Sequence, residues 1–136
     1  MPSEKNGEID YAEIKILTID MLNIHLGIDV EQIAEICEPK EAVKKGIKIF
    51  QLHEKVNSGG KDVDYISPKI LVLKDDKKIS GIMVNEPKDI VTINVNLIQP
   101  LPPLIDRYKS LISVWGVAVL DNNMIVLIDI KKTIHS

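Results

Sequence analysis

Three observations predict an all-β fold with only short helices. The chain holds 23 Ile and 12 Val against four Ala and five aromatics, so more than a quarter of it is β-branched and suits half-buried pleated surfaces. Apolar residues recur at period two in short runs separated by turn-forming residues. At 136 residues, 45% hydrophobic and 27% charged, the chain has enough apolar content for one soluble domain, which excludes a disordered or collagen-like chain.

Residues 1–10 are polar and lack an apolar period, so they are expected to form a flexible lead-in to a single domain over 11–136. Ile14, Ile16 and Ile19 with Leu17, then Ile24, Leu26 and Ile28, predict a β-hairpin turning near Met21–Asn23. Over Asp29–Ile36 the spacing of Val30, Ile33, Ala34 and Cys37 fits one face of a helix capped by Asp29, while the β-branching leaves a strand open. Pro39 closes that element, because the residue before a proline is pushed out of the helical region and proline donates to no ladder. Ile47, Ile49 and Leu52 predict a strand within 44–56, followed by the loop Asn57-Ser-Gly-Gly-Lys-Asp62.

Lys69–Leu73 and Ile79–Val84 predict a second hairpin around the polar turn Lys74–Lys78. Beyond Pro87, Asp89–Ile93 with Val95 and Leu97 predicts a further strand that ends at Gln99-Pro-Leu-Pro-Pro103, a stiff polyproline connector. Val114–Leu120 and Met124–Ile130 flank Asp121-Asn-Asn123, whose side chains tolerate the left-handed backbone of a tight turn. Both arms are apolar on both faces, as expected when one face fills a barrel and a neighbouring element covers the other. Asp129–His135 predicts a short terminal helix with Asp129 near its start and Lys131 and Lys132 further along. Trp115 suits either packing beneath that helix or an interface.

Several function classes are disfavoured. The net charge is −3, and Arg107 is the one arginine among 17 basic residues, which argues against nucleic acid as a partner because phosphate and base edges are read by guanidinium forks. No apolar run reaches the roughly 18 residues of a membrane span, and the N-terminus lacks the apolar core of a signal peptide, so the expected location is cytoplasmic without membrane insertion. Cys37, beside Ile36, reads as a core hydrophobe. His25, His53 and His135 have no metal-ligand spacing, and His25 and His53 are expected to face solvent from strands. No nucleophile elbow or Walker lysine is present, and Asp62/Asp64 and Asp75/Asp76 sit in hydrophilic segments where they stay solvated. The expectation is therefore a protein that is not an enzyme, with no catalytic residue, cofactor or metal. A small-ligand-binding barrel or enzyme stays open as the alternative, with a buried His53 beside a carboxylate as its sign.

The order of blocks resembles the CheW-like family. Ile16-Leu-Thr-Ile-Asp20 and Leu26-Gly-Ile-Asp-Val-Glu-Gln-Ile-Ala-Glu-Ile36 are similar to its opening strand and Val-x-Glu-Ile ending, with Leu26 where an aromatic is common. Ile79-Ser-Gly-Ile-Met-Val84 followed by Ile90 is similar to its Gly-hydrophobic-hydrophobic-Val block. The ending Trp115-Gly-Val-Ala-Val-Leu-Asp-Asn-Asn-Met-Ile-Val-Leu-Ile-Asp-Ile-Lys-Lys-Thr-Ile134 resembles the family's tail. In order, these blocks span most of residues 14–134. The departure is central: Glu38–Gly46 passes directly into Ile47-Lys-Ile-Phe-Gln-Leu52, without the family's Asn-Leu-Arg-Gly motif.

The resemblance implies two intertwined five-stranded SH3-like β-barrels. It also implies a non-catalytic signal-transduction adaptor that couples chemoreceptor signalling tips to the regulatory domain of the histidine kinase CheA. The missing segment contributes to receptor–kinase array assembly in the family, so a shortened domain is expected to keep one binding face and lose another, or to serve a different protein partner. By matching position, the receptor groove would involve Ile33, Glu35, Ile36, Gly81, Val84 and Ile90. There a receptor helix would lay apolar side chains against Ile33, Ile36, Val84 and Ile90, Glu35 would set register, and Gly81 would permit close backbone approach.

Overall fold

The computed structural model describes residues 12–21, 23–52, 65–74, 79–100 and 113–135. β1 (Glu13–Met21) and β2 (Ile24–Asp29) form the first antiparallel hairpin, with Asn23 in the left-handed region at φ 65°. The Asp29 carboxylate accepts from the Glu31 N–H at 2.9 Å and caps a single 3-10 turn, Val30–Gln32, after which β3 (Ile33–Cys37) begins. The helical spacing over Asp29–Ile36 thus resolves into one capped turn and a strand, because Ile33 and Ile36 pair with Leu73 and Leu71 instead of closing helical turns.

The sequence pattern did not predict α1 (Pro39–Lys44). Pro39 occupies its first turn, where a missing N–H costs nothing, and Glu41 reaches back to accept from the Glu38 N–H at 3.3 Å. Gly46, at φ 71°, turns the chain into β4 (Lys48–Gln51). β5 (Lys69–Leu73) and β6 (Ser80–Val84) form the second hairpin, and β7 (Asp89–Asn94) follows. Val95–Leu97 is a 3-10 turn capped by Asn94, not a continuation of the strand. β8 (Val114–Leu120) and β9 (Asn123–Ile128) meet through Asp121 and Asn122, both at positive φ (50° and 66°), as a twisted two-residue turn requires. In α2 (Ile130–His135), the backbone N–H of Lys132 donates to Asp129 Oδ1 at 3.0 Å. The loop 57–62 and most of the polyproline connector lie outside the described residues.

The strands form two curled sheets. Among the described residues one has five strands in the order β7-β1-β2-β9-β8, and the other has four in the order β3-β5-β6-β4. The first sheet takes strands from both ends of the sequence and the second takes the middle, so the two are interleaved. Gln99 closes the five-stranded sheet on itself: its N–H donates to Val117 O at 2.8 Å and its carbonyl accepts from Val117 N–H at 2.9 Å, joining the chain after edge strand β7 to edge strand β8.

Alternation along each strand then separates three cores. Leu17, Ile19, Leu26, Ile28, Leu71, Ile82, Val84 and Ile128 belong to the core shared by the two sheets. Ile16, Ile93, Ala118, Ile125 and Leu127 fill the closed barrel. Cys37, Ala42, Ile47, Ile70 and Val72 pack on the other face of the four-stranded sheet, beneath α1. Fully burying one such aliphatic side chain contributes about 1.5–3 kcal/mol relative to exposure.

Candidate functional site

Among the described residues β3 is an edge strand, with β5 beside it on one side. Ile36 lies opposite Leu71 and keeps 45% of its surface exposed. Glu35, opposite Val72, is exposed and accepts from Lys45 Nζ at 3.0 Å, a hydrogen bond that raises the Lys45 pKa. Ile33 is half-buried against the shared core. Next to them, Lys69 Nζ donates to Glu38 Oε2 at 2.7 Å. The exposed edge of β3 is therefore an isoleucine flanked by ion-paired side chains.

The remaining expected groove residues lie elsewhere. Val84 is fully buried in the shared core and lines no surface, because β6 is a central strand covered on both faces. A Cβ built on Gly81 would lie 2.6 Å from Ile70 Cγ2, so the space beside this glycine is filled from within the chain. No bulge interrupts the register of β6 at that point. Ile90 is 58% exposed, but on β7, the edge of the other sheet. Ile33, Glu35 and Ile36 thus share one strand, while Gly81 and Val84 are interior and Ile90 belongs to a second edge. Trp115 is the extra residue at a register shift between β8 and β9 and is 44% exposed.

A polar network that residue spacing did not reveal joins β1 and β2 to the connector before β7. Asp20 and His25 are cross-strand partners; His25 Nδ1 donates to Asp20 Oδ1 at 2.5 Å and Lys88 Nζ donates to Asp20 Oδ2 at 2.9 Å. Burial pushes the Asp20 carboxyl up, but the hydrogen bonds from Lys88 and His25 outweigh it and hold the pKa below its usual value. Asn85 donates to the Asp20 carbonyl at 2.9 Å and accepts from the Ile66 N–H at 2.9 Å. His25 is thus half-exposed and hydrogen-bonded to Asp20 rather than simply solvent-facing. The clue was the hairpin turn itself, which sets Asp20 opposite His25.

Two clefts meet at this network. One, of about 360 Å³, is lined by Asp20, Met21, Asn23, His25 and Asn85, and the other, of about 180 Å³, lies on the side of Lys88 and the β8–β9 turn. A histidine oriented by a carboxylate is one half of a general-base device, but neither cleft contributes a serine or cysteine nucleophile from the described residues. Among the described residues no cluster of three His, Cys, Asp or Glu side chains is placed to hold a metal, and no helix is long and apolar enough to cross a membrane. His53, the sign of the enzyme alternative, lies outside the described residues.

Two curled sheets around a common core, the five-stranded one closed by Gln99, define the class as a two-sheet, barrel-like β domain. The family model for the CheW-like domain matches residues 44–136, more than half of the chain, and the protein belongs to that family. Its fold is similar to that of the scaffolding protein TtCheW from Thermoanaerobacter tengcongensis, with a TM-score of 0.69 at 17% identity over 93% of this chain and 90% of that one. Comparison with curated protein sequences gives no match.

Proposed function

We propose that the protein is a non-catalytic adaptor of the cytoplasm that couples a chemoreceptor signalling tip to the regulatory domain of a CheA-like histidine kinase. The observation that carries this reading is Ile36, exposed on an edge strand of a CheW-like domain, next to the ion-paired Glu35 and on the same strand as the half-buried Ile33. An amphipathic receptor helix would seat one apolar side chain against Ile36 and Ile33, and Glu35 would fix its register from the rim. Ile90, on the other edge strand, is proposed as a separate contact. Gly81 and Val84 would support the surface from inside. The absence of the Asn-Leu-Arg-Gly segment leaves the array-assembly contact outside the proposal.

Calorimetric titration with the receptor tip and, separately, with the kinase regulatory domain tests this reading. Saturable binding to at least one is expected, weakened at least tenfold by Ile36→Glu and unchanged by Val119→Glu, since Val119 is exposed on β8, a strand of the other sheet. Failure of the folded wild-type protein to bind either would overturn the proposed coupling and favour a CheW-like module with another protein partner.

A further inference from the structure

The closed five-stranded barrel has one mouth that its apolar filling does not reach. Ladder register assigns the inner face: Ile14 and Ile16 on β1 are followed at period two by Thr18 and Asp20, Val91 on β7 by Asp89, and Ile125 on β9 by Asn123. Gly27 sits at the centre of the same face, where a Cβ would come within 3 Å of Ile16, Ile125 and Leu127. The interior therefore changes from aliphatic to charged along the barrel axis, and the cleft of about 180 Å³ lies where it changes. Its apolar lining is Val91, Leu120 and Ile125, all part of the barrel core or packed against it. Mouths of β-barrels are preferred binding positions, but this volume falls below the roughly 300–1,000 Å³ of sites for drug-sized molecules. It suits a single side chain.

Charge decides which one. Both oxygens of Asp20 are occupied, by His25 and by Lys88, and the Lys88 ammonium is engaged in return. Asp89 and Asp121 also line the cleft; they are exposed and have no ion-pair partner among the described residues. We propose that this barrel mouth docks a lysine or arginine side chain of a partner protein, its methylene stem on Val91, Leu120 and Ile125 and its cation between Asp89 and Asp121. The stem buries apolar area while the charged head stays at the wet rim, the way long basic side chains settle at surfaces. This site is independent of the β3 edge, and Ile36→Glu should leave it intact.

The test is a two-dimensional amide NMR titration of the full chain with the capped tripeptide acetyl-Gly-Arg-Gly-amide, with acetyl-Gly-norleucine-Gly-amide as the neutral probe. Saturable shifts confined to residues 88–91 and 120–125 are expected with the arginine peptide, at least fivefold weaker with the norleucine peptide. Asp89→Asn combined with Asp121→Asn should weaken the arginine peptide at least fivefold, while Glu31→Gln, a neutralised exposed carboxylate elsewhere, should not. Retained dispersion of the amide spectrum checks that each variant is folded. Equal response to both peptides, shifts scattered over the other acidic residues, no shifts at all, or an unaffected double variant would each overturn the proposal.

Discussion

Replacing Gly81 with alanine separates a glycine kept for packing from one kept for a partner. The added methyl would lie 2.6 Å from Ile70 Cγ2, 3.3 Å from Ile47 Cγ2 and 3.3 Å from the Leu71 carbonyl. Ile70 is fully buried among Cys37, Ala42, Ile47 and Val72, so its methyl has little room to retreat. Overpacking of this kind costs about 1–3 kcal/mol, and relief from glycine's extra unfolded-state freedom returns roughly 0.5–1 kcal/mol. The net loss is about 0–2.5 kcal/mol, and at roughly 3–4 °C per kcal/mol for a domain of this length Tm should fall by up to about 10 °C. Thermal unfolding of the isolated protein measures it. In a cycle with Ile70→Ala, which removes the obstructing methyl, the double variant should be more stable than the two single losses predict, by about 1 kcal/mol. An unchanged Tm with an additive cycle, together with weakened partner binding, would refute the packing argument and return Gly81 to the surface site.

Further predictions concern the polar network and the last hairpin. Asn85→Ala removes two hydrogen bonds, leaves the Asp20 carbonyl and Ile66 N–H without this partner, and should cost about 1–3 kcal/mol in urea unfolding. Because the folded pKa of Asp20 lies below its ordinary 3.8, the stability it contributes is fully present above that pH and lost as pH falls through the folded value. The wild-type advantage over Asp20→Asn, under about 1 kcal/mol for so exposed a pair, should accordingly be flat near neutrality and vanish in strong acid. Asn122 at φ 66° should accept glycine with a gain of a few tenths of a kcal/mol, roughly, whereas Asn122→Val should lose about 1–2 kcal/mol by equilibrium unfolding.

How much was legible depended on whether a signal was local. Asp121-Asn-Asn123 marks a turn that only a few residue types enter, and both flanking strands appear where the apolar runs stand. Asp29 is a cap in the structure as in the sequence pattern, but the conformation of residues 33–37 depends on pairing with β5, a partner more than thirty residues away that periodicity over eight residues does not register. In α1 the proline that closes the preceding element also opens a helix, and the overlooked signal was Glu38-Pro-x-Glu41, an N-terminal cap around a first-turn proline. Val84 illustrates the same limit for the site: β6 is apolar on both faces, so its sequence does not distinguish a groove residue from a core residue. The Asp20–His25–Lys88 network needed the register of three segments, of which the hairpin alone was local.

Reconstitution of signalling tests the central claim most directly. Receptor signalling tips and the histidine kinase are assembled with and without this protein, and kinase autophosphorylation is followed. The account predicts a receptor-dependent change in autophosphorylation that requires the protein and is lost with Ile36→Glu. Unchanged autophosphorylation with the wild-type protein bound to both partners, or the same change with Ile36→Glu, would contradict it.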